Sequence, residues 1–322
     1  MLRRILALLA LALVPALAFA ADEYPNRTVT MVVPFPPGGV ADITARPLAQ
    51  AMGSHLGQTV VVENKSGAGG GVGMQYVARA RPDGYTVLLA LSSISIIPEA
   101  DKVLGRDPMF KLSQLVPIAR FTADPTVLAV RADSPYRSVA DLVAAAKKSP
   151  GTIPFGSSGN YGTMHVPMEM LSQAAGVKML HVPFTGAGPA IVALLGGQVD
   201  ALATGPSTVT GHVRAGKLRV LATWGEGGRH PAFPDVPTLK ELGYDVQFSQ
   251  WTGLFVPAGT PEAAIAKLRE AARKAVEDPA FKSALAKVET PIQYLDQPQF
   301  QAFWDGDARK LASAVQRIGK VE

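Results

Sequence analysis

Cysteine is absent from this 322-residue chain. Its absence excludes disulfides, a thiolate nucleophile, a cysteine zinc site and a lipid-modified amino-terminal cysteine. Histidine is scarce, and the five residues at positions 55, 165, 181, 212 and 230 show neither an HExxH motif nor another paired ligand spacing. We therefore predict no metal and no cofactor.

Nucleotide-binding motifs are also missing. No GxxxxGK[ST] sequence occurs, and the glycine cluster at residues 67–72 has Val72 where the dinucleotide fingerprint needs Gly or Ala. Charge is modest: without Arg3 and Arg4, 29 basic residues face 26 acidic ones, a net charge of +3. No run of like charges or interleaved aromatic patch predicts nucleic-acid binding. A weakly positive surface favours an anionic small molecule.

Long hydrophobic runs are confined to the amino terminus. Residues 5–19 are apolar and follow Arg3 and Arg4, and Ala18-Phe19-Ala20 is a small-x-small cleavage site. A run of about 15 residues is too short for a membrane span, which needs about 20. The pattern predicts a signal peptide at residues 1–20, cleaved between Ala20 and Ala21, and an exported, freely soluble protein.

Strands and helices alternate along the chain in two successive series, which predicts an α/β fold with two mostly parallel sheets flanked by helices. The predicted strands are Val29–Val33, Thr59–Val62, Thr86–Ala90, Val127–Val130, Ile153–Phe155, Met179–Val182, Ala201–Ala203 and Leu218–Ala222. Ser138 is predicted to cap one helix, and Thr260 another, with Pro261 at its first position.

A purely helical carboxyl-terminal tail has to pack on one of these two units. If it returns to the first, the chain crosses between domains twice, near residues 124–132 and 249–258, and the two crossings form a hinge beside a ligand cleft. The predicted organisation is a signal peptide at 1–20, domain 1 at 21–125 and 247–322, and domain 2 at 126–246.

The stretch VVPFPPGGVAD, Val32–Asp42, joins an apolar strand to a helix without a catalytic side chain. Gly38 and Gly39 permit close approach, and the free amides of a helix start attract a carboxylate or phosphate. An ordinary strand-to-helix turn is the alternative. Asp42 either caps this helix or contacts the ligand, and Pro47 is expected to kink or shorten it.

The stretch GSSGNYGTMH, Gly156–His165, is the counterpart loop of the second series. Its hydroxyl groups can hold a carboxylate directly or through water. A hydrolase built on Ser158, His165 and a distant Asp is the alternative, although Asn160 stands where the nucleophile motif GxSxG needs Gly.

Further candidate residues follow other strands. Phe35, Phe184 and Trp251 belong either to the core or to the cleft. The complete predicted ligand site is Phe35, Pro37, Gly38, Gly39, Asp42, Ser92, Ser93, Ser157, Ser158, Tyr161, Thr163, His165, Phe184, Thr204 and Gly205.

Seven stretches, taken in order, resemble the Bug-type periplasmic solute receptors of tripartite tricarboxylate transporters. They are YPNRTVTMVVPFPPGGVAD, VVVENKSGAGGGVG, ARPDGYTVLLA, VPFTGAGPAIVALLGGQVDA, GKLRVLA, FPDVPTLKELG and WTGLFVPAGTP. The resemblance implies a two-domain periplasmic binding fold of type II, with a discontinuous first domain. It also implies a non-enzymatic receptor.

The resemblance further implies a small organic carboxylate as ligand, held by residues 35–42, 157–163 and the Thr204 loop, partly through water. Members of this family commonly have a shorter serine-glycine loop, so Asn160-Tyr161 is an enlargement that shapes the pocket. The implied partners are the membrane subunits of a transporter, with a sensor kinase as the alternative, and we expect a monomer in the periplasm.

Overall fold

The computed structural model describes residues 24–321. The predicted signal peptide and its cleavage site lie outside the described residues. Within 24–321, no helix combines the length and the apolar character needed to cross a membrane. Strands and helices alternate through most of the chain, as the sequence pattern predicts, and form two sheets with helices packed on them.

The strands, numbered in chain order, are β1 (Val29–Val33), β2 (Val60–Asn64), β3 (Thr86–Leu91), β4 (Leu115–Pro125), β5 (Val127–Arg131), β6 (Pro154–Ser157), β7 (Leu180–Pro183), β8 (Ala201–Thr204), β9 (Leu218–Thr223), β10 (Ser249–Pro257) and β11 (Leu295–Asp296). The α-helices are α1 (Val40–Leu56), α2 (Gly71–Ala78), α3 (Ser93–Val103), α4 (Val139–Lys148), α5 (His165–Ala175), α6 (Ala187–Leu195), α7 (Thr210–Arg214), α8 (Glu262–Ala275), α9 (Pro279–Lys287) and α10 (Gln297–Ile318). Short 3-10 turns occupy Ala68–Gly70, Leu112–Gln114 and Pro206–Thr208.

The first sheet has six strands in the order β11-β4-β10-β3-β1-β2. β1 is parallel to both β2 and β3, because a helix crosses over between each successive pair. β10 is antiparallel to β3 and β4, and β11 is antiparallel to β4. The sheet is therefore mixed, and the prediction of a mostly parallel sheet is wrong here, because β10 returns from the second sheet and enters between β3 and β4.

The second sheet has five strands in the order β7-β6-β8-β5-β9. β6 is parallel to β7 and β8, whereas β5 is antiparallel to β8 and β9. This sheet is mixed for the same reason, since β5 arrives directly from the first sheet without a crossover helix. The carboxyl ends of β1 and β3 in one sheet and of β6 and β8 in the other lead into the loops predicted to bind ligand.

Two segments connect the sheets and are bonded to one another near the end of β9. The Thr126 N–H donates to the Phe248 carbonyl at 3.2 Å, and the Trp224 N–H donates to the Thr126 carbonyl at 2.9 Å. α8 packs on α1, and α10 packs on α3 and β4, so the carboxyl-terminal helices lie on the first sheet. The domain boundaries at 125/126 and 246/247 stay a prediction.

Of the local predictions about helix caps and prolines, the structure confirms the cap at Ser138 and contradicts the cap at Thr260 and the shortening at Pro47. Ser138 caps α4 as predicted, with its hydroxyl accepting from the Asp141 N–H at 3.1 Å. Thr260 does not cap α8, because its hydroxyl donates to the Pro257 carbonyl and Pro261 takes the cap position. Pro47 does not shorten α1, which continues to residue 56. The buried face of α1 offsets the hydrogen bond that a proline cannot make.

Candidate functional site

Loops from the two sheets meet across the space between them. A Cβ atom built on Gly186 would lie 2.4 Å from Pro36 Cδ, and one built on Gly205 would lie 2.5 Å from Val40 Cγ2. Gly159 is equally close to the first sheet, since its Cβ position lies 3.0 Å from the Gly69 amide nitrogen. Only glycine permits these approaches, so both sides of the cleft are in contact.

The proline-glycine loop, residues 34–39, is held by Asp42 in the first turn of α1. Asp42 is buried, and its Oδ2 atom accepts from the Gly38 N–H at 3.0 Å and from Arg46 Nε at 3.0 Å. Its Oδ1 atom accepts from Arg46 Nη2 at 2.7 Å and from Asn64 Nδ2 at 3.1 Å. Asp42 thus holds the loop in shape, and both its oxygens already have donors.

The electrostatics of Asp42 agree with this role. Burial on its own would raise the pKa of Asp42, but hydrogen bonds from Arg46, Gly38 and Asn64 outweigh burial and lower it below the ordinary value. The N-cap residue of α1 is Gly39 and no side chain caps the helix, so the prediction of Asp42 as its cap is wrong. Pro37 and Gly38 are exposed on the loop, while Gly39 faces Ala187.

Phe35 belongs to the packing beneath this loop. The residue is buried, and its ring edge lies 2.9 Å from a Cβ position on Gly70. Its carbonyl accepts from Asn64 Nδ2 at 2.8 Å. Trp251 is also buried and donates from Nε1 to Asp307 at 2.8 Å, on the side of α10. Both aromatic residues therefore pack in the core.

The serine-glycine loop, residues 158–164, follows β6 in the second sheet. Ser157 Oγ at its start lies 2.6 Å from His181 Nε2 and accepts from the Gly159 N–H at 3.1 Å. His181 stacks on His165, with 3.8 Å between ring centroids. Burial first, and the electrostatic effect of His165 second, lower the pKa of His181 to about 3. The sequence reasoning missed His181, although it lies in the predicted strand Met179–Val182, which in the structure pairs it with Phe155.

The arrangement needed for the hydrolase alternative does not form. His165 Nδ1 accepts from the Tyr161 N–H at 2.9 Å, and its Nε2 atom lies 3.6 Å from Glu169 Oε1. Ser158 Oγ is buried and has no hydrogen-bond partner within residues 24–321. The hydrogen bond that Ser158 as nucleophile and His165 as base would need is therefore absent from residues 24–321, and His165 Nδ1 is used by the loop backbone.

Tyr161 turns its hydroxyl toward the carboxyl-terminal tail. Its Oη atom donates to the Gly319 carbonyl at 2.8 Å and accepts from the Val321 N–H at 3.0 Å. The residue is buried and has a left-handed backbone, with φ of 54°. The prediction that this hydroxyl contacts the ligand is not supported, because both of its partners lie beyond α10. Tyr161 instead anchors the loop.

The remaining loop residues lie where the two sheets meet. Thr163 is buried, and its carbonyl accepts from Gln250 Nε2 at 3.3 Å. Thr204 Oγ1 lies 2.9 Å from Thr208 Oγ1, so these two hydroxyls satisfy one another. Phe184 is half-buried and lines, with Ser158 and Gly69, an interdomain cavity of about 620 Å³.

Unpaired hydroxyl groups follow a strand in each of the two sheets. Ser92 and Ser93 begin α3 at the carboxyl end of β3, where the sequence predicted only a loop. Both are fully buried, and in the described part of the chain neither Oγ atom has a hydrogen-bond partner. Together with Ser158, which follows β6 in the second sheet, they offer neutral donors that an anion could use. Among residues 24–321, no cluster of three or more His, Asp or Glu could hold a metal ion.

The sequence model of one protein family, TctC, described as the tripartite tricarboxylate transporter family receptor, matches residues 44–320 of this chain. The chain belongs to this family. The family is periplasmic, and its members are solute-binding proteins. These comparisons confirm the family resemblance and the type II periplasmic binding fold. They also confirm that the chain belongs to a family of solute-binding proteins.

Known proteins of this TctC family resemble the chain over most of its length. A Cupriavidus necator relative, the UPF0065 protein in the gbd 5' region, is 37% identical over 313 residues, covering 97% of this chain and 94% of the relative. The structure of the periplasmic binding protein BugD has a TM-score of 0.85 at 34% identity, covering 92% of this chain and 99% of BugD.

Two further TctC-like structures contain dicarboxylates. MatC from Rhodopseudomonas palustris, with bound malate, has a TM-score of 0.84 at 29% identity and covers 91% of this chain and 100% of MatC. An R. palustris protein with adipate has a TM-score of 0.82 at 27% identity and covers 91% of this chain and 98% of that protein.

Proposed function

We propose that this TctC-family receptor captures a small organic carboxylate between its two domains and delivers it to the membrane subunits of a tripartite transporter. The observation that carries the proposal is the set of buried, unpaired hydroxyls of Ser92, Ser93 and Ser158, which follow β3 in the first sheet and β6 in the second, while loops of the two sheets approach closely. The malate and adipate in related structures support the same ligand class.

The binding energy comes from neutral hydrogen bonds in a closed space. A buried hydroxyl without a partner costs about 1–3 kcal/mol, and a hydrogen bond to a charged group contributes about 1.5–3 kcal/mol. A few such bonds account for micromolar affinity, which corresponds to about 8 kcal/mol. The ligand favours closure only through contacts that the open form cannot make. Capture and release need no covalent step.

The assignment of the other predicted residues to the ligand belongs to this proposal too. The glycines at 38, 39 and 205 let the loops approach, while Asp42, Ser157, Tyr161 and His165 hold the loops in shape. Family membership supports delivery to a transporter. A monomeric state and a sensor kinase as an alternative partner stay predictions from sequence.

Calorimetry on the protein produced without residues 1–20, after unfolding and refolding to remove carried-over solute, tests the proposal. We expect at least one mono-, di- or tricarboxylate to bind, and the corresponding amide not to bind. The triple variant S92A/S93A/S158A should bind at least tenfold more weakly. Ser54→Ala is the matched control, because Ser54 is exposed on α1 and should leave affinity unchanged. Binding of cationic or apolar solutes alone would contradict the proposal.

A further inference from the structure

Asp124 lies at the end of β4, where the chain leaves the first sheet, and only 4% of it is exposed. Its partner in the β4–β10 ladder is Gln250, so the two side chains share one face of the sheet. Gln250 donates to the Thr163 carbonyl, and its Oε1 atom lies 3.2 Å from a Cβ position on Gly205. Asp124 therefore stands beside a residue that touches two predicted ligand loops.

The carboxylate of Asp124 has too few donors. The nearest is His230 Nε2, 3.7 Å from Oδ1, which is beyond hydrogen-bond distance. His230 Nδ1 accepts from the Ala232 N–H at 3.1 Å, so a neutral ring carries its proton on Nε2. In the chain from 24 to 321, neither Asp124 Oδ1 nor His230 Nε2 has a hydrogen-bond partner.

Two more buried groups near the same crossing also lack partners within the described residues: the hydroxyl of Thr126 and the indole N–H of Trp224. Their backbones are directly bonded, and Thr126 follows Asp124 by two residues in an extended segment. The crossing beside Gln250 thus combines an acceptor short of donors with polar groups that can hydrogen-bond to a ligand.

The two other buried aspartates among residues 24–321 are fully paired. Asp42 accepts from Gly38, Arg46 and Asn64, and Asp101 accepts from Arg106 and from the Met109 N–H. At Asp124, burial raises the pKa, and His230 lowers it only in part. A buried carboxylate without donors is costly unless something supplies them. The cleft is where that supply can come from.

We propose that Asp124 binds a hydrogen-bond-donating group of the ligand, an ammonium or a hydroxyl. The receptor is then selective for amino- or hydroxy-carboxylic acids over unsubstituted ones. The inference rests on the proposed function: the hydroxyls and loops hold the carboxylate, and Asp124 distinguishes acids by the substituent they carry. Asp124 is therefore a specificity-determining residue.

Calorimetry with matched sets of acids tests this. The sets are propionate, lactate and alanine; succinate, malate and aspartate; and glutarate, 2-hydroxyglutarate and glutamate. In the set that binds, we expect the hydroxy or amino acid to bind at least tenfold more tightly than the unsubstituted acid, the range of a hydrogen bond to a charged group. Preference for the amino or for the hydroxy member tells which donor Asp124 binds.

Asp124→Asn keeps the size of the side chain and should reduce that preference to within about twofold. Asp307→Asn is the matched control, because Asp307 is a half-buried carboxylate that accepts from Nε1 of Trp251, the residue next to Gln250 in β10. The control should keep the wild-type preference. Thermal unfolding of both variants shows whether the fold is intact.

Two results would overturn the inference while leaving the proposed function in place: equal affinity of the wild type for substituted and unsubstituted acids, or an unchanged preference in Asp124→Asn. The first does not depend on any variant folding. If the wild type binds no carboxylic acid at all, the proposed function fails, and this inference fails with it.

Discussion

The two loops that meet between the sheets are held in place in different ways. The proline-glycine loop depends on a local contact, because Asp42 accepts from Gly38 only four residues away. The serine-glycine loop depends on remote ones: Ser157 meets His181 in the next strand, and Tyr161 donates to Gly319, 158 residues along the chain. The local contact lies within four residues of sequence, whereas the remote contacts exist only in the folded chain.

The largest expected change is in ligand affinity, and it comes from the point where the proline-glycine loop meets the second sheet's loops. Gly186 has an extended backbone that any residue adopts, but the Cβ atom of Gly186→Val would lie 2.4 Å from Pro36 Cδ. We expect ligand affinity to fall about 100-fold, since closure is blocked, with the thermal unfolding temperature unchanged. Titration calorimetry measures the ligand affinity, and calorimetric melting measures the thermal unfolding temperature.

The matched control is Gly227→Val, because a Cβ on Gly227 meets nothing within 4 Å. It should bind as the wild type does. Wild-type affinity in Gly186→Val would show that the loops need not approach each other when ligand binds.

The next effect comes from removing the local clamp. Asp42→Ala leaves the Gly38 N–H and Arg46 without their acceptor and should lower the free energy of unfolding by about 1–3 kcal/mol. Urea unfolding at pH 7 measures this. Loss of the clamp should also weaken ligand binding. A stable variant with unchanged affinity would mean that the loop holds its shape without Asp42.

As the pH falls, the serine-glycine loop should lose stability before the proline-glycine loop does. The pKa of His181 falls from 6.5 to about 3 on folding. Between these two pH values the unfolded chain binds a proton at His181 and the folded protein does not. Stability from this group is complete above pH 6.5 and is lost toward pH 3, at most about 1.4 kcal/mol per pH unit. The pKa of Asp42 is lowered from 3.8, so the stability that Asp42 contributes is lost only as the pH falls below 3.8.

Urea unfolding between pH 7 and pH 4 measures this difference. His181→Gln should show a smaller slope of stability with pH than the wild type. An identical slope in both proteins would show that His181 is not the group responsible.

The smallest effect should come from the tail anchor. Tyr161→Phe loses the hydrogen bonds to Gly319 and Val321, and we expect about 1 kcal/mol less stability and roughly threefold weaker binding. Gln173→Ala is the control, because Gln173 bonds the tail at the Arg317 carbonyl without touching the loop. If both variants bind equally weakly, the tail acts on general stability and not through the loop.

Sequence reasoning succeeded where the signal is local or repeated. Alternating strands and helices, the Ser138 cap and the ordered family motifs each depend on nearby residues, and the structure and family comparison agree with them. It failed where the partner is distant. Helix α3 was missed, the tail contact of Tyr161 has no local sign, and Thr260 looks like a cap although its hydroxyl turns back to Pro257.

The sequence by itself determined the α/β pattern, the glycine loops after β1 and β6 and membership of a receptor family, because hydrophobic periodicity and glycine act within a few residues. Only the tertiary structure decided which hydroxyls lack partners, which aspartates are satisfied and how the crossing strands run. The reason is physical: hydrogen-bond satisfaction is a property of three-dimensional neighbours, and Asp42 and Asp124 differ in their surroundings and not in their chemistry.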